Sequence, residues 1–210
     1  MIKIFIADDH ELVREGLKKI LKEEHDIKVV DEANNGDEVL DKVHKSECDI
    51  ILLDMNMPGK SGLDLIKELK TLLPELHILV LSIYPEEKYA LRALKAGASG
   101  YITKDSAIEE LVTAIRRIHA RGRYVSATLA EKLASQIDSN FDLLPHERLS
   151  DRELQIMCMI ASNKSVREIA NELYLSISTV NTYRARIMEK MNMRTDVELT
   201  HYAIYNNLVE

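Results

Sequence analysis

The spacing of hydrophobic positions changes along this chain in a regular way. Ile2 to Ala7, IKIFIA, is apolar and rich in β-branched residues and predicts a buried strand. From Glu11 to Leu21, apolar Leu12, Leu17, Ile20 and Leu21 recur at helical spacing. Residues 27–33, IKVVDEA, predict a second strand, and Gly36 precedes a helix carrying Val39, Leu40 and Val43. Ile50 to Leu53 are four apolar residues in a row, too short for a membrane span and suited to a strand buried on both faces. Met57-Pro58-Gly59 turns the chain, and Leu63, Leu65, Ile66 and Leu69 mark a helix closed by Pro74. HILVLS, 77–82, predicts a fourth strand, and a helix over 86–96 stops at Gly97. Residues 99–102 make a short fifth strand, and a helix from Ser106 to about Ala120 ends at Gly122.

Five strand–helix alternations predict an α/β fold, a doubly wound five-stranded parallel sheet with right-handed crossovers. After Gly122 the pattern changes. Residues 126–137 form a short amphipathic helix, and 138–146, DSNFDLLPH, are rich in turn formers. From there on no strand pattern appears. Ser150 and Glu153 make a capping box for a helix to about Ala161. Further helices are expected at about 165–173, 178–191 and 195–207, so the second domain is all-α. The expected division is 1–122, a linker with a short helix at 123–146, and 147–210.

Composition narrows the class. Hydrophobic residues at 46% and charged residues at 30% are ordinary for a globular protein, and no apolar run reaches membrane-spanning length. The acidic start, MIKIFIADDH, lacks signal-peptide architecture, and Cys48 and Cys158 stand alone without metal-ligand spacing. Both points favour a cytoplasmic, reducing environment and no membrane partner. The net charge of −7 does not advertise nucleic-acid binding.

Candidate chemistry lies where the strands end. Asp8 and Asp9, Asp54, Ser82 and Lys104 follow strands one, three, four and five. In a parallel sheet those ends share one edge, where open α/β sheets place their ligands. Taken alone, Asp54 suits a strand end or the start of a turn as well as a reactive group. Three carboxylates at one edge repel unless a cation joins them, and all-oxygen ligation suits Mg2+. With an ammonium and a hydroxyl beside them, the set suits a phosphoryl group, and the nucleophile is then a carboxylate. His10 follows the acidic pair and starts a helix, so it reads as a surface or capping residue.

The order DD, LLDMNMP, LS, GYITK resembles the receiver domain of bacterial two-component response regulators, over residues 2–121. The resemblance implies a flavodoxin-like receiver in which Asp54 accepts a phosphoryl group from a sensor histidine kinase. It further implies Mg2+ held by Asp8, Asp9, Asp54 and the backbone carbonyl of Asn56, with Lys104 on the phosphoryl oxygens. Ser82 and Tyr101 are then the switch pair. Asp105 follows Lys104 where many receivers have proline, which disfavours a cis peptide there.

The C-terminal helices at 165–173 and 178–191 match a helix-turn-helix. At 100° per residue, Val180, Tyr183, Ile187 and Met191 fall on one side of the second. Ser178, Asn181, Thr182, Ala185 and Glu189 fall opposite, and amide, hydroxyl and methyl groups suit base edges in a major groove. Thr179, Arg184, Arg186 and Lys190 complete the expected contacts to double-stranded DNA. Residues 147–210 hold 8 Lys and Arg against 9 Asp and Glu, so the cations matter by clustering. The stretch from Arg148 to Met191 also resembles the LuxR-type DNA-binding domain, and the whole chain resembles a NarL/FixJ-family response regulator. That implies a phosphorylation-controlled transcription regulator rather than an enzyme. An Mg2+-dependent phosphatase and a regulator acting only through protein contacts are the rivals. A lone helix-turn-helix covers one half-site, so a homodimer on DNA is expected. Val197, Tyr202, Ala203, Ile204 and Tyr205 of the last helix are the candidates for its surface, with the first helix and that at 106–120 in the receiver.

Overall fold

The computed structural model describes residues 1–58, 60–126, 129–130, 144–206 and 208–209. Contacts divide the chain into two compact units, Met1–Ser139 and Asn140–Glu210.

In the first unit, β1 (Ile2–Ala7), β2 (Ile27–Ala33), β3 (Ile50–Asp54), β4 (His77–Ser82) and β5 (Gly100–Thr103) form one sheet. All pairings are parallel and the order is β2-β1-β3-β4-β5. The order reverses direction between β1 and β3, and this crevice is where doubly wound sheets bind ligands. Strand β3 is central and every one of its residues is buried, as its unbroken apolar run requires.

Five helices cover the faces: α1 (Glu11–Lys22), α2 (Gly36–Val43), α3 (Gly62–Leu72), α4 (Glu86–Ala96) and α5 (Ala107–Arg121). Leu17 and Leu21 of α1 and Leu111, Ile115 and Ile118 of α5 share a core with Ile4, Ile6, Ile50 and Leu52. Those strand residues alternate, which is how one pleated strand feeds one face. Helix α3 packs between α2 and α4. Gly97 (φ 113°) and Gly122 (φ 76°) end α4 and α5 in left-handed conformation, where a side chain is disfavoured.

The interval 123–146 is not linker throughout. Tyr124 donates its N–H to the Ser99 carbonyl at 2.8 Å and its hydroxyl to Glu110 at 2.7 Å, and its ring joins the first unit's core. A 3-10 turn at Pro145–Arg148 belongs to the second unit, where His146 meets the Tyr202 hydroxyl at 2.9 Å. Most of the helix expected at 126–137, and residues 138–143 of the expected linker, lie outside the described residues.

The second unit holds α6 (Asp151–Ala161), α7 (Val166–Glu172), α8 (Ile177–Met191) and α9 (Asp196–Tyr205). Each begins at a hydroxyl residue, Ser150, Ser165, Ser176 or Thr195, whose oxygen accepts an N–H three residues on. Ser150–Glu153 and Ser165–Glu168 are full capping boxes. Leu154, Met157, Ile169, Val180, Ile187, Leu199 and Ala203 fill the centre.

One packing contact fixes the loop beyond β3. A Cβ on Gly62 would stand 2.8 Å from the Met55 Cα and 2.9 Å from its carbonyl oxygen. Backbone cannot give way as a flexible side chain does, so Gly62→Ala lowers stability by about 1–3 kcal/mol. A thermal melt of the variant checks this, and an unchanged midpoint refutes it.

Candidate functional site

Asp54 is the last residue of β3 and is 1% exposed. Asp8, just past β1, is as deeply buried, and its N–H is held by the Ala33 carbonyl. Arg14 of α1 donates to the Asp8 carbonyl at 2.8 Å, which fixes the backbone from outside. Lys104, beyond β5, is anchored through its own N–H to the Ser82 carbonyl at 2.7 Å. Its ammonium then reaches both acids, 2.7 Å from Asp8 Oδ2 and 2.8 Å from Asp54 Oδ2. Sequence separation of 50 residues between Asp54 and Lys104 is thus closed by sheet order alone.

Electrostatics follow from burial. Loss of water raises the Asp54 carboxyl above its usual range, with Lys104 pulling it down and Asp8 pushing it up. Burial opposes the Lys104 charge, but Asp54 and Asp8 outweigh it and hold the ammonium above the ordinary lysine value. One ammonium faces three carboxylates, so the pocket retains a net negative charge that suits a divalent cation. Asp9, partly exposed, has its Oδ1 2.7 Å from His10 Nδ1. Ligand atoms of Asp8, Asp9, His10 and Asp54 all lie within 4.8 Å of one another. The donor set therefore fits a metal ion. Asn56 donates its backbone N–H to Asp54 Oδ1 at 3.1 Å, so its main chain lies beside the carboxylate.

Ser82 and Tyr101 meet through a residue that sequence reasoning missed. Ser82 Oγ accepts the Tyr84 N–H at 3.1 Å, and the Tyr101 hydroxyl donates to the Tyr84 carbonyl at 2.8 Å. Both are buried, and the Tyr84 ring stacks on Tyr89 of α4 at 4.6 Å. Tyr84 carries no motif, so nothing in its sequence context marks it. His10 was also read differently, as a surface or capping residue. It is exposed and occupies the N-cap position of α1, but it makes no capping bond and turns its ring toward the acids.

In the second unit, α8 has the expected phase. Val180, Ile187 and Met191 are buried and Tyr183 half-buried, while Ser178, Asn181, Thr182, Ala185 and Arg186 are exposed. Thr179 is half-buried, and its hydroxyl lies 2.7 Å from Ser176. Two cations expected at a DNA surface are engaged within the protein. Arg184 is bidentate to Asp196 of α9 at 2.8 and 2.9 Å. Lys190 reaches Glu153 at 2.6 Å, and that carboxylate is buried beneath it. Burial raises Glu153, but Lys190 and the Ser150 bonds prevail and hold it below the usual carboxylate value. Among the described residues, Arg186 makes no ion pair. Of the five residues expected at a dimer surface, Ala203 is core and Tyr202 contacts His146, while Val197, Ile204 and Tyr205 are exposed.

Comparison with known proteins places both units. The response regulator receiver domain matches residues 4–116, and the luxR family of bacterial regulatory proteins matches 147–203. The chain belongs to the response regulators. Response regulator UvrY of Escherichia coli (strain K12) is 40% identical over 209 residues, 99% of this chain and 96% of that protein. Response regulator GacA of Pseudomonas aeruginosa is 39% identical over 216 residues, 100% of this chain and 99% of that protein. Among solved structures, the Salmonella typhimurium RcsB response regulator matches with a TM-score of 0.69 and 26% identity, covering 96% of each chain. RcsB bound to promoter rprA in the presence of phosphomimetic BeF3- matches with a TM-score of 0.67 and 25% identity, over 96% of this chain and 97% of that one. This response regulator is therefore a phosphorylation-dependent transcription regulator with a receiver domain and a LuxR-type DNA-binding domain.

Proposed function

We propose that Asp54 is the phosphoacceptor, taking a phosphoryl group from a sensor histidine kinase with Mg2+ in the acidic pocket. The observation that carries this is the pairing of buried Asp54 with Lys104 Nζ at 2.8 Å at the end of the central strand. A carboxylate oxygen attacks phosphorus, the donor's leaving group departs, and an acyl phosphate forms. Asp8, Asp9, Asp54 and the Asn56 carbonyl would hold Mg2+, which supplies charge neutralisation for phosphoryl oxygens. Lys104 supplies a further positive charge on the same side.

The switch runs through Tyr84. A phosphoryl group adds about 1.5–2 negative charges. Ser82, drawn to it, releases the Tyr84 N–H, and the Tyr101 hydroxyl loses the geometry that holds the Tyr84 carbonyl. The equilibrium between two arrangements of the β4–α4 segment then shifts. Output is double-stranded DNA bound by α8 through Ser178, Thr179, Asn181, Thr182, Ala185 and Arg186, with Arg184 and Lys190 bracing the helix. Exposed Val197 and Tyr205 of α9, 65% and 87% accessible, support pairing with a second copy on DNA. We assign the protein to the cytoplasm, where unpaired thiols such as Cys48 and Cys158 are usual.

Labelling from acetyl phosphate and binding to mixed genomic fragments test this together. Label enters with Mg2+ and fails with chelator, and beryllofluoride tightens DNA binding and raises the association state in sedimentation. Full labelling under chelator removes the metal from the scheme. Indifference of both DNA affinity and association to beryllofluoride removes the switch.

A further inference from the structure

We propose that His10 is a ligand of the acidic site, and that its ring nitrogen lets the site take Mn2+, Co2+ and Ni2+ as well as Mg2+. This rests on the reading of Asp8, Asp9 and Asp54 as a cation pocket. It adds a nitrogen donor, and a consequence for metal choice, to an all-oxygen set.

The geometry starts in the backbone. Asp8 Oδ1 accepts the His10 N–H at 2.9 Å, which closes a short turn after β1. That turn fixes where the ring can go. A residue at a helix N-cap ordinarily turns its side chain onto the first helical N–H groups. His10 makes no such bond. Its Nδ1 instead stands 2.7 Å from Asp9 Oδ1 and 3.3 Å from Asp8 Oδ1. Ligands 2.1 Å from an ion on adjacent octahedral positions are about 3 Å apart. Both distances bracket that edge.

The carboxylates have little else to bind. Asp9 Oδ1 is shut off from solvent, and among the described residues the His10 ring alone approaches it. Asp8 Oδ2, equally shut off in a residue 1% exposed, meets only the Lys104 ammonium. These oxygens are aimed into the same small volume as the imidazole nitrogen. A hard ion such as Mg2+ gains little from that nitrogen, whereas later first-row ions gain steadily from Mn2+ to Ni2+. The ring is 64% exposed, so it can turn toward a bound ion without disturbing the core.

The test is metal binding by the full chain, read directly. Pulsed electron paramagnetic resonance of the Mn2+ complex shows coupling to an imidazole nitrogen, and His10→Ala and His10→Gln both abolish it. In calorimetry, His10→Ala weakens Co2+ by at least about tenfold and Mg2+ by less than about twofold. Asp9→Ala weakens both ions. Absence of nitrogen coupling in a Mn2+ complex that Asp9→Ala weakens overturns the ligand assignment and leaves the pocket standing. Equal loss of Co2+ and Mg2+ in His10→Ala makes the ring an orienting neighbour of Asp9 and likewise overturns it. Ion binding indifferent to Asp9→Ala overturns the pocket itself.

Discussion

Asp54→Asn takes up no phosphoryl group from acetyl phosphate in the presence of Mg2+, and keeps its fold. The amide matches the carboxylate in shape, so the buried end of β3 stays packed. What is lost is the anionic oxygen that attacks phosphorus. The stability half of the expectation follows from the sign of the Asp54 shift. Burial raises its carboxyl above the usual range, which means folding disfavours the charged form relative to the neutral one. Removing the charge also leaves Lys104 facing Asp8 without a competitor at 2.8 Å. The melting midpoint of Asp54→Asn therefore equals or exceeds that of the parent. Phosphate label retained in undiminished amount would sink the phosphoacceptor assignment. A cooperative melt in the same sample rules out misfolding as the reason for lost label.

Much of this site was legible because a parallel sheet turns sequence order into spatial order. Apolar runs ended at Ala7, Leu53, Leu81 and Ile102, and the polar residues just beyond each met at one edge. Serine caps worked in the same local way, since a cap and its partner are three residues apart. The misses share a different physical cause. Helical phase places Arg184 and Lys190 near the outer surface of α8, but it cannot see Asp196 or Glu153, 12 and 37 residues away. Tyr84 serves through its backbone, which side-chain identity does not report. His10 follows two aspartates in sequence. Its cap position was legible; the direction of its ring was not, because that depends on a turn closed by Asp8. Tyr124 looked like the start of a linker because a single aromatic carries no periodicity, yet it hydrogen-bonds Ser99 and Glu110.

Those ion pairs separate two roles that a count of cations merges, and salt dependence tells them apart. Each phosphate contact contributes close to one counterion, so losing one lowers the slope of log affinity against log salt by about 1. Arg186 is exposed and, among the described residues, makes no ion pair, so Arg186→Ala weakens binding and lowers the slope by about 1. Asn181 is exposed on the same face and carries an amide suited to adenine, so Asn181→Ala leaves the slope and changes the preferred sequence. Arg184→Ala and Lys190→Ala behave differently from both. Arg184 ties α8 to α9, and Lys190 neutralises a carboxylate buried at the start of α6. Removing Lys190 leaves Glu153 with its serine bonds but no counter-charge, a loss of about 1–3 kcal/mol in stability. The slope then stays at the parent value while the melting midpoint falls. Protein–DNA titrations at several salt concentrations, paired with thermal melts, give both readings for each variant. A slope lowered by Lys190→Ala with no change in melting would return that lysine to the DNA surface. An unaltered slope and preference in Arg186→Ala and Asn181→Ala would mean that another face of the unit reads the duplex.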